Sequence, residues 1–89
     1  MPITNVQVYL VENAGKIKAS ATITFDDAFV VHGLRIIEGE KGLFVAMPTR
    51  YSKAKGRFLD TAHPITNKAR SVLVEAILKA YEEELEKSK

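Results

Sequence analysis

Ile17-Lys18-Ala19-Ser20-Ala21-Thr22-Ile23-Thr24-Phe25 decides how the rest of the chain is read. Ile17, Ala19, Ala21, Ile23 and Phe25 alternate with Lys18, Ser20, Thr22 and Thr24. Successive side chains of a strand point to opposite faces, so this period of two predicts a β-strand with one buried face. On its N-terminal side, Val6, Val8 and Leu10 alternate with Asn5, Gln7 and Tyr9 between Ile3 and Leu10, which predicts a second strand of the same kind. Glu12-Asn13-Ala14-Gly15 between them is a turn signal, because Asn and Gly accept unusual backbone angles.

On the C-terminal side, Asp26-Asp27 is a short polar break that predicts a tight hairpin. Phe29 to Ile37 reads as a third strand with apolar residues on both faces: Phe29, Val31 and Ile37 on one, Val30, Leu34 and Ile36 on the other. That pattern predicts a central strand covered on both sides. Gly39-Glu40-Lys41-Gly42 is the next turn, and Leu43-Phe44-Val45-Ala46-Met47 a fourth strand stopped by Pro48. Thr49 to Gly56 reads as a polar basic loop, and Arg57 to Ala62 as a short strand.

A helix follows Pro64, with Thr66 or Asn67 as its N-cap, and runs to about Glu86. Neither cap completes a capping box, since the third residue on is Ala69 or Arg70. The apolar helix positions (69, 72, 73, 74, 76, 77, 78, 80, 81 and 85) form a stripe wider than a simple surface helix needs. The fold class is therefore α+β: an antiparallel sheet of four to five strands over about residues 3–62, then one long C-terminal helix over about 67–86, in a single domain of 1–89.

A chain of 89 residues buries roughly 60–65% of its unfolded surface, so its core is thin. It has no cysteine to reinforce that core by a disulfide. A helix of about twenty residues is roughly 30 Å long, while four or five strands make a sheet roughly 15–20 Å wide. A helix that crosses such a sheet outruns it, and a second copy of the chain is the simplest cover, so a homodimer is expected. No apolar run approaches the roughly 20 residues of a membrane span. The N-terminus lacks a basic region followed by an apolar stretch, so the sequence reads as soluble and cytoplasmic, without a membrane partner.

Charge is distributed unevenly. Lys41 to Arg70 holds seven cations (Lys41, Arg50, Lys53, Lys55, Arg57, Lys68, Arg70) against Asp60 alone, while the segments on either side are each net negative. Such a concentrated positive field attracts a polyanion. Arg50, Lys53, Lys55 and Arg57 fall within eight residues and include Tyr51, cations for phosphate and a ring for stacking on a base. Lys68 and Arg70 stand in the first helical turn, and Glu82, Glu83, Glu84 and Glu86 near the last. Both placements oppose the helix dipole, which is explained if the N-terminal turn faces an external phosphate.

Other chemistries find little support. Asp60 and His63 lie around a strand end without chelating spacing and His32 is on another element, so no metal is expected. Ser20, Ser52, Ser71 and Ser88 have no nucleophile-elbow context, and Gly39 and Gly42 are turn residues rather than a phosphate loop. No enzymatic activity, cofactor or small-molecule substrate is expected.

Phe29-Val30-Val31-His32, Arg35-Ile36-Ile37, Gly42-Leu43-Phe44-Val45-Ala46-Met47-Pro48 and Ala62-His63-Pro64-Ile65 occur in that order. This set resembles the SpoVG family, the stage V sporulation protein G or septation regulators, from about Ile3 to Tyr81. The resemblance implies a small dimeric bacterial protein with a sheet followed by a C-terminal helix. It also implies a regulator of septation and sporulation that binds DNA, and in some members RNA. Gly33 departs from a position where the family commonly has Asp or Asn, and Thr61 from one that is commonly Ile. The sequence thus points to a nucleic-acid-binding homodimer using Arg50, Tyr51, Lys53, Lys55, Arg57, Lys68 and Arg70. The competing reading is a protein-interaction adaptor whose basic loop docks on an acidic partner protein.

Overall fold

The computed structural model describes residues 2–11 and 15–87. Its elements are β1 (Ile3–Leu10), β2 (Ile17–Phe25), β3 (Phe29–Gly39), β4 (Gly42–Ala46), β5 (Thr49–Ser52), β6 (Arg57–Asp60) and α1 (Asn67–Lys87). β1 to β4 form one antiparallel sheet in the order β1-β2-β3-β4, and β5 and β6 form a separate two-stranded sheet. The expected α+β architecture is present, with the fifth and sixth strands set apart from the main sheet. The expected turn at Glu12-Asn13-Ala14 lies outside the described residues.

The alternation in β2 becomes burial. Ala19, Ala21 and Ile23 are buried with Val8, Leu34, Ile36, Val45, Met47, Ile77 and Tyr81 in one core between sheet and helix. β1 pairs Val6 with Ile23, Val8 with Ala21 and Leu10 with Ala19, so its apolar residues share that face. Ala19 and Ala21 are small side chains fully enclosed in that core. The helix packs chiefly on β1 and also reaches β4 and β2, so it crosses the sheet between its two edge strands.

Asp26 and Asp27 both have positive φ, 53° and 50°, and Ala28 N–H donates to the Phe25 carbonyl across the turn. A hairpin turn of this mirror-image kind matches the twist of its strands but favours Asn-Gly at its centre. The double change Asp26→Asn with Asp27→Gly is expected to raise the melting temperature by about 2–6 °C by relieving left-handed strain. Differential scanning calorimetry checks this, and a fall in melting temperature would show that the two carboxylates stabilise the turn.

β3 departs from its expected pattern. Ile23 pairs with Val31 but Ala21 pairs with Leu34, so His32 and Gly33 form a bulge opposite Thr22. The extra residue reverses the parity of the strand, and Val31, Leu34 and Ile36 all turn toward the helix side. β3 is therefore interior to the sheet but not covered on both sides: Phe29 and Val30 are exposed, and Ile37 is only half-buried. Gly33 has φ 87°, and a Cβ there would meet Pro48 Cβ at 3.3 Å, so the bulge lies directly against the residue where the chain leaves β4.

Thr49 to Gly56 is not a loop but one arm and the tip of a hairpin. β5 pairs with β6 through Thr49–Asp60, Arg50–Leu59, Tyr51–Phe58 and Ser52–Arg57. β6 ends at Asp60, two residues before the expected Ala62. The hairpin contributes nothing to the core, so it carries no alternation of buried and exposed residues by which a strand is recognised.

Candidate nucleic-acid interface

The hairpin is anchored at its base. Pro48 is buried, and its carbonyl accepts from Thr61 N–H at 2.8 Å and Thr61 Oγ1–H at 3.1 Å. Arg35 reaches across from β3 and donates to the Met47 carbonyl at 3.3 Å and Thr49 Oγ1 at 3.4 Å. These bonds fix the chain where it bends from β4 into β5, and so aim the hairpin. At the tip, Gly56 N–H donates to the Ser52 carbonyl at 2.8 Å, Lys55 N–H donates to Ser52 Oγ at 3.3 Å, and Gly56 supplies the left-handed φ of 63°.

The strand pairing sorts the candidate residues. Arg50 and Arg57 share one face with Ser52 and Leu59, while Tyr51 and Phe58 share the other. Lys53 and Lys55 occupy the turn between the arms. All four cations are exposed, and none is held in an ion pair with a described residue. Four unpaired positive charges on one twelve-residue projection form the positive surface that the sequence predicts, with Tyr51 turned away from the two arginines.

The first turn of α1 lies near the hairpin base. Thr66 is its N-cap: Ala69 N–H donates to Thr66 Oγ1 at 3.1 Å and Arg70 N–H to the Thr66 carbonyl at 3.1 Å. Lys68 lines a groove of about 600 Å³ whose wall also includes Pro48, while Arg70 is exposed outside that lining. Lys41 is separate from this group. It precedes β4, and Pro48 follows β4, a span of roughly 20 Å of extended chain. Lys41 thus stands apart from the hairpin cations, and Lys68 is tied to the hairpin base through the groove it shares with Pro48.

His32 Nδ1 lies 3.2 Å from Thr22 Oγ1, and His63 Nδ1 lies 3.2 Å from the Pro64 carbonyl oxygen, at separate places in the fold. Among the described residues, no helix is long and apolar enough to cross a membrane.

Two residues with roles here were not picked out from sequence. Phe58 is the cross-strand partner of Tyr51, with ring centroids 5.2 Å apart and planes at 72°. Its signal was an aromatic residue one position past Arg57, beside the cations. Arg35 positions the hairpin from a distant strand, and no local pattern marks that role.

Uncovered apolar side chains occur at several places, including Tyr9 on β1, Val30 on β3, and Leu43 and Phe44 on β4. Leu73, Val74, Leu78 and Ala80 pack on the chain's own core beside buried Ile77 and Tyr81. Phe29, Ile65 and Val72 remain 58%, 88% and 51% exposed, and all three line the groove beside Lys68. The broad helix stripe is therefore largely consumed within one chain, and its exposed large members are Val72 near the N-terminal end and Leu85 near the other.

A family model described as SpoVG matches residues 1–83. The chain is 52% identical over 85 residues to the SpoVG protein of Heliobacterium modesticaldum, covering 96% of this chain and 94% of that relative. It is 49% identical over 82 residues to the SpoVG protein of Archaeoglobus fulgidus, covering 92% and 95%. It is also 49% identical over 85 residues to the SpoVG protein of Clostridioides difficile, covering 96% and 91%. The names of all three relatives assign them to septation.

Proposed function

The chain belongs to the SpoVG family of septation proteins, and from that membership and its basic hairpin we propose that it is a nucleic-acid-binding regulator acting as a homodimer. The observation that carries this reading is the charge on the hairpin. Arg50, Lys53, Lys55 and Arg57 are exposed, without an ionic partner among the described residues, on a projection that holds no core residue. Unneutralised cations on a rigid arm gain affinity for a phosphate backbone by releasing its counterions. Lys68 and Arg70 add charge at a helix N-terminus, where the dipole also favours an anion. The test is titration of labelled duplex DNA at several salt concentrations, with and without the hairpin cations. An acidic partner protein would instead show binding that excess polynucleotide does not compete away.

The dimer is proposed to form across the groove that Phe29, Ile65 and Val72 line. An exposed apolar cluster of this kind on a small chain with a thin core favours burial against a second copy. Two hairpins would then flank a two-fold axis and hold two stretches of backbone. Light scattering should give about twice the 9.9 kDa of one chain. Val72→Asp should return the mass toward one chain with little change in helical content, because Val72 is half exposed. A parent mass near one chain across the micromolar range would remove the dimer from the proposal.

A further inference from the structure

The geometry points to a base-stacking platform, formed by Tyr51 and Phe58, that makes the hairpin prefer unpaired nucleotides to a duplex. This inference rests on the nucleic-acid reading above and assigns that reading its ligand class. The two rings are direct cross-strand partners and meet edge to face, so each holds the other's orientation while a ring face stays available. Tyr51 is 53% and Phe58 68% exposed, although aromatic rings on a protein surface lose contact with apolar neighbours.

Their placement relative to charge matters more than their exposure. By strand alternation the rings face one side of the hairpin and Arg50 and Arg57 the other, with Lys53 and Lys55 across the tip. A backbone held at the tip by Lys53 and Lys55 leaves its bases free to turn toward the aromatic side. Only a single strand can use that geometry, because a duplex keeps its base faces inside its own stack and must be unstacked to offer them. The platform therefore adds affinity for unpaired bases and nothing for duplex, while the cations serve both. Stacking reads every base by its π-face, so the preference is for strandedness rather than sequence.

The test uses the full chain and three labelled ligands of equal length: single-stranded DNA, single-stranded RNA and blunt duplex DNA. The variants are Tyr51→Ala, Phe58→Ala and Phe58→Leu, with Tyr51→Phe and Phe58→Tyr as conservative rescues. The Ala and Leu variants should bind the two single strands roughly tenfold or more weakly, with less than about twofold change on duplex. The rescues should bind as the parent does, and tyrosine fluorescence should be quenched by a single strand in the parent but not in Tyr51→Phe. The DNA and RNA single strands show whether the sugar contributes. Equal losses on single strand and duplex, or no loss on single strand, would overturn the platform and leave the nucleic-acid reading intact. A loss accompanied by a fall in oligomeric mass would overturn it too, placing the rings between copies of the chain. A parent that binds none of the three ligands would overturn both.

Discussion

Replacing Arg50, Lys53, Lys55 and Arg57 together with alanine is expected to abolish most of the affinity for duplex DNA while leaving the fold intact. Each phosphate neutralised contributes about −0.9 to the slope of log affinity against log salt on duplex DNA. If each protomer uses three or four cations, a dimer has a slope of roughly −5 to −7, and the parent weakens about a thousandfold or more between roughly 50 and 200 mM salt. The quadruple variant should show a flatter slope, no steeper than about −4 from Lys68 and Arg70 of the two protomers, and bind at least about a hundredfold more weakly at the lower salt. Its melting temperature should move little, because the four side chains are exposed and belong neither to the core nor to an ion pair with a described residue. The control is Lys87→Ala with Lys89→Ala. Lys87 is exposed in the last turn of the helix, at the opposite end from Lys68 and Arg70, and Lys89 lies outside the described residues. The site hypothesis fails if the quadruple variant keeps the parent slope. It fails equally if the control loses as much, since diffuse charge would then account for binding.

Ile77→Ala should cost more folding energy than any hairpin change. Ile77 is fully buried and lies in the core with Ile23, Leu34 and Ile36, so its truncation leaves a cavity under the helix. Large-to-small changes of this kind cost about 2–5 kcal/mol. A domain this small has only about 5–10 kcal/mol in total, so the variant should sit close to its unfolding threshold. The melting temperature should fall by roughly 8–40 °C at about 4–8 °C per kcal/mol. Denaturant unfolding gives the same answer through its midpoint. Leu78, half-buried on the same core, faces its own sheet, so Leu78→Glu attacks the fold rather than a dimer contact. A loss below about 1 kcal/mol for Ile77→Ala would mean that the sheet–helix core relaxes far more readily than a close-packed interior should.

The parts of the fold legible in the sequence are those where burial imposes a period. β1 and β2 alternate because one face meets the helix, and Asp26-Asp27 stands where a hairpin needs left-handed residues. Thr66 caps the helix as its side-chain oxygen suggests. The bulge at His32-Gly33 was hidden because a single extra residue makes an amphipathic strand look apolar on both faces. β5 was hidden for the opposite reason, since a hairpin wet on both faces has no hydrophobic period to show, while β6 is the short strand expected from Arg57, ending two residues early. The cations of the candidate site were plain from composition, whereas their division between two faces depends on strand register. Phe58 and Arg35 depend on contacts between separate strands, which no linear pattern contains.

Pro48 is the hinge point of this arrangement, and its consequence concerns divergence. Residues 49–60 hang from the sheet through the Thr61 and Arg35 bonds at their base and place no side chain in the core. Sequence drift along that arm therefore costs the sheet and helix little, while drift at Ile23, Leu34, Ile36 or Ile77 is limited by packing. Proteins sharing this scaffold can exchange the chemistry of the arm while keeping its direction. Their targets can diversify faster than their architecture.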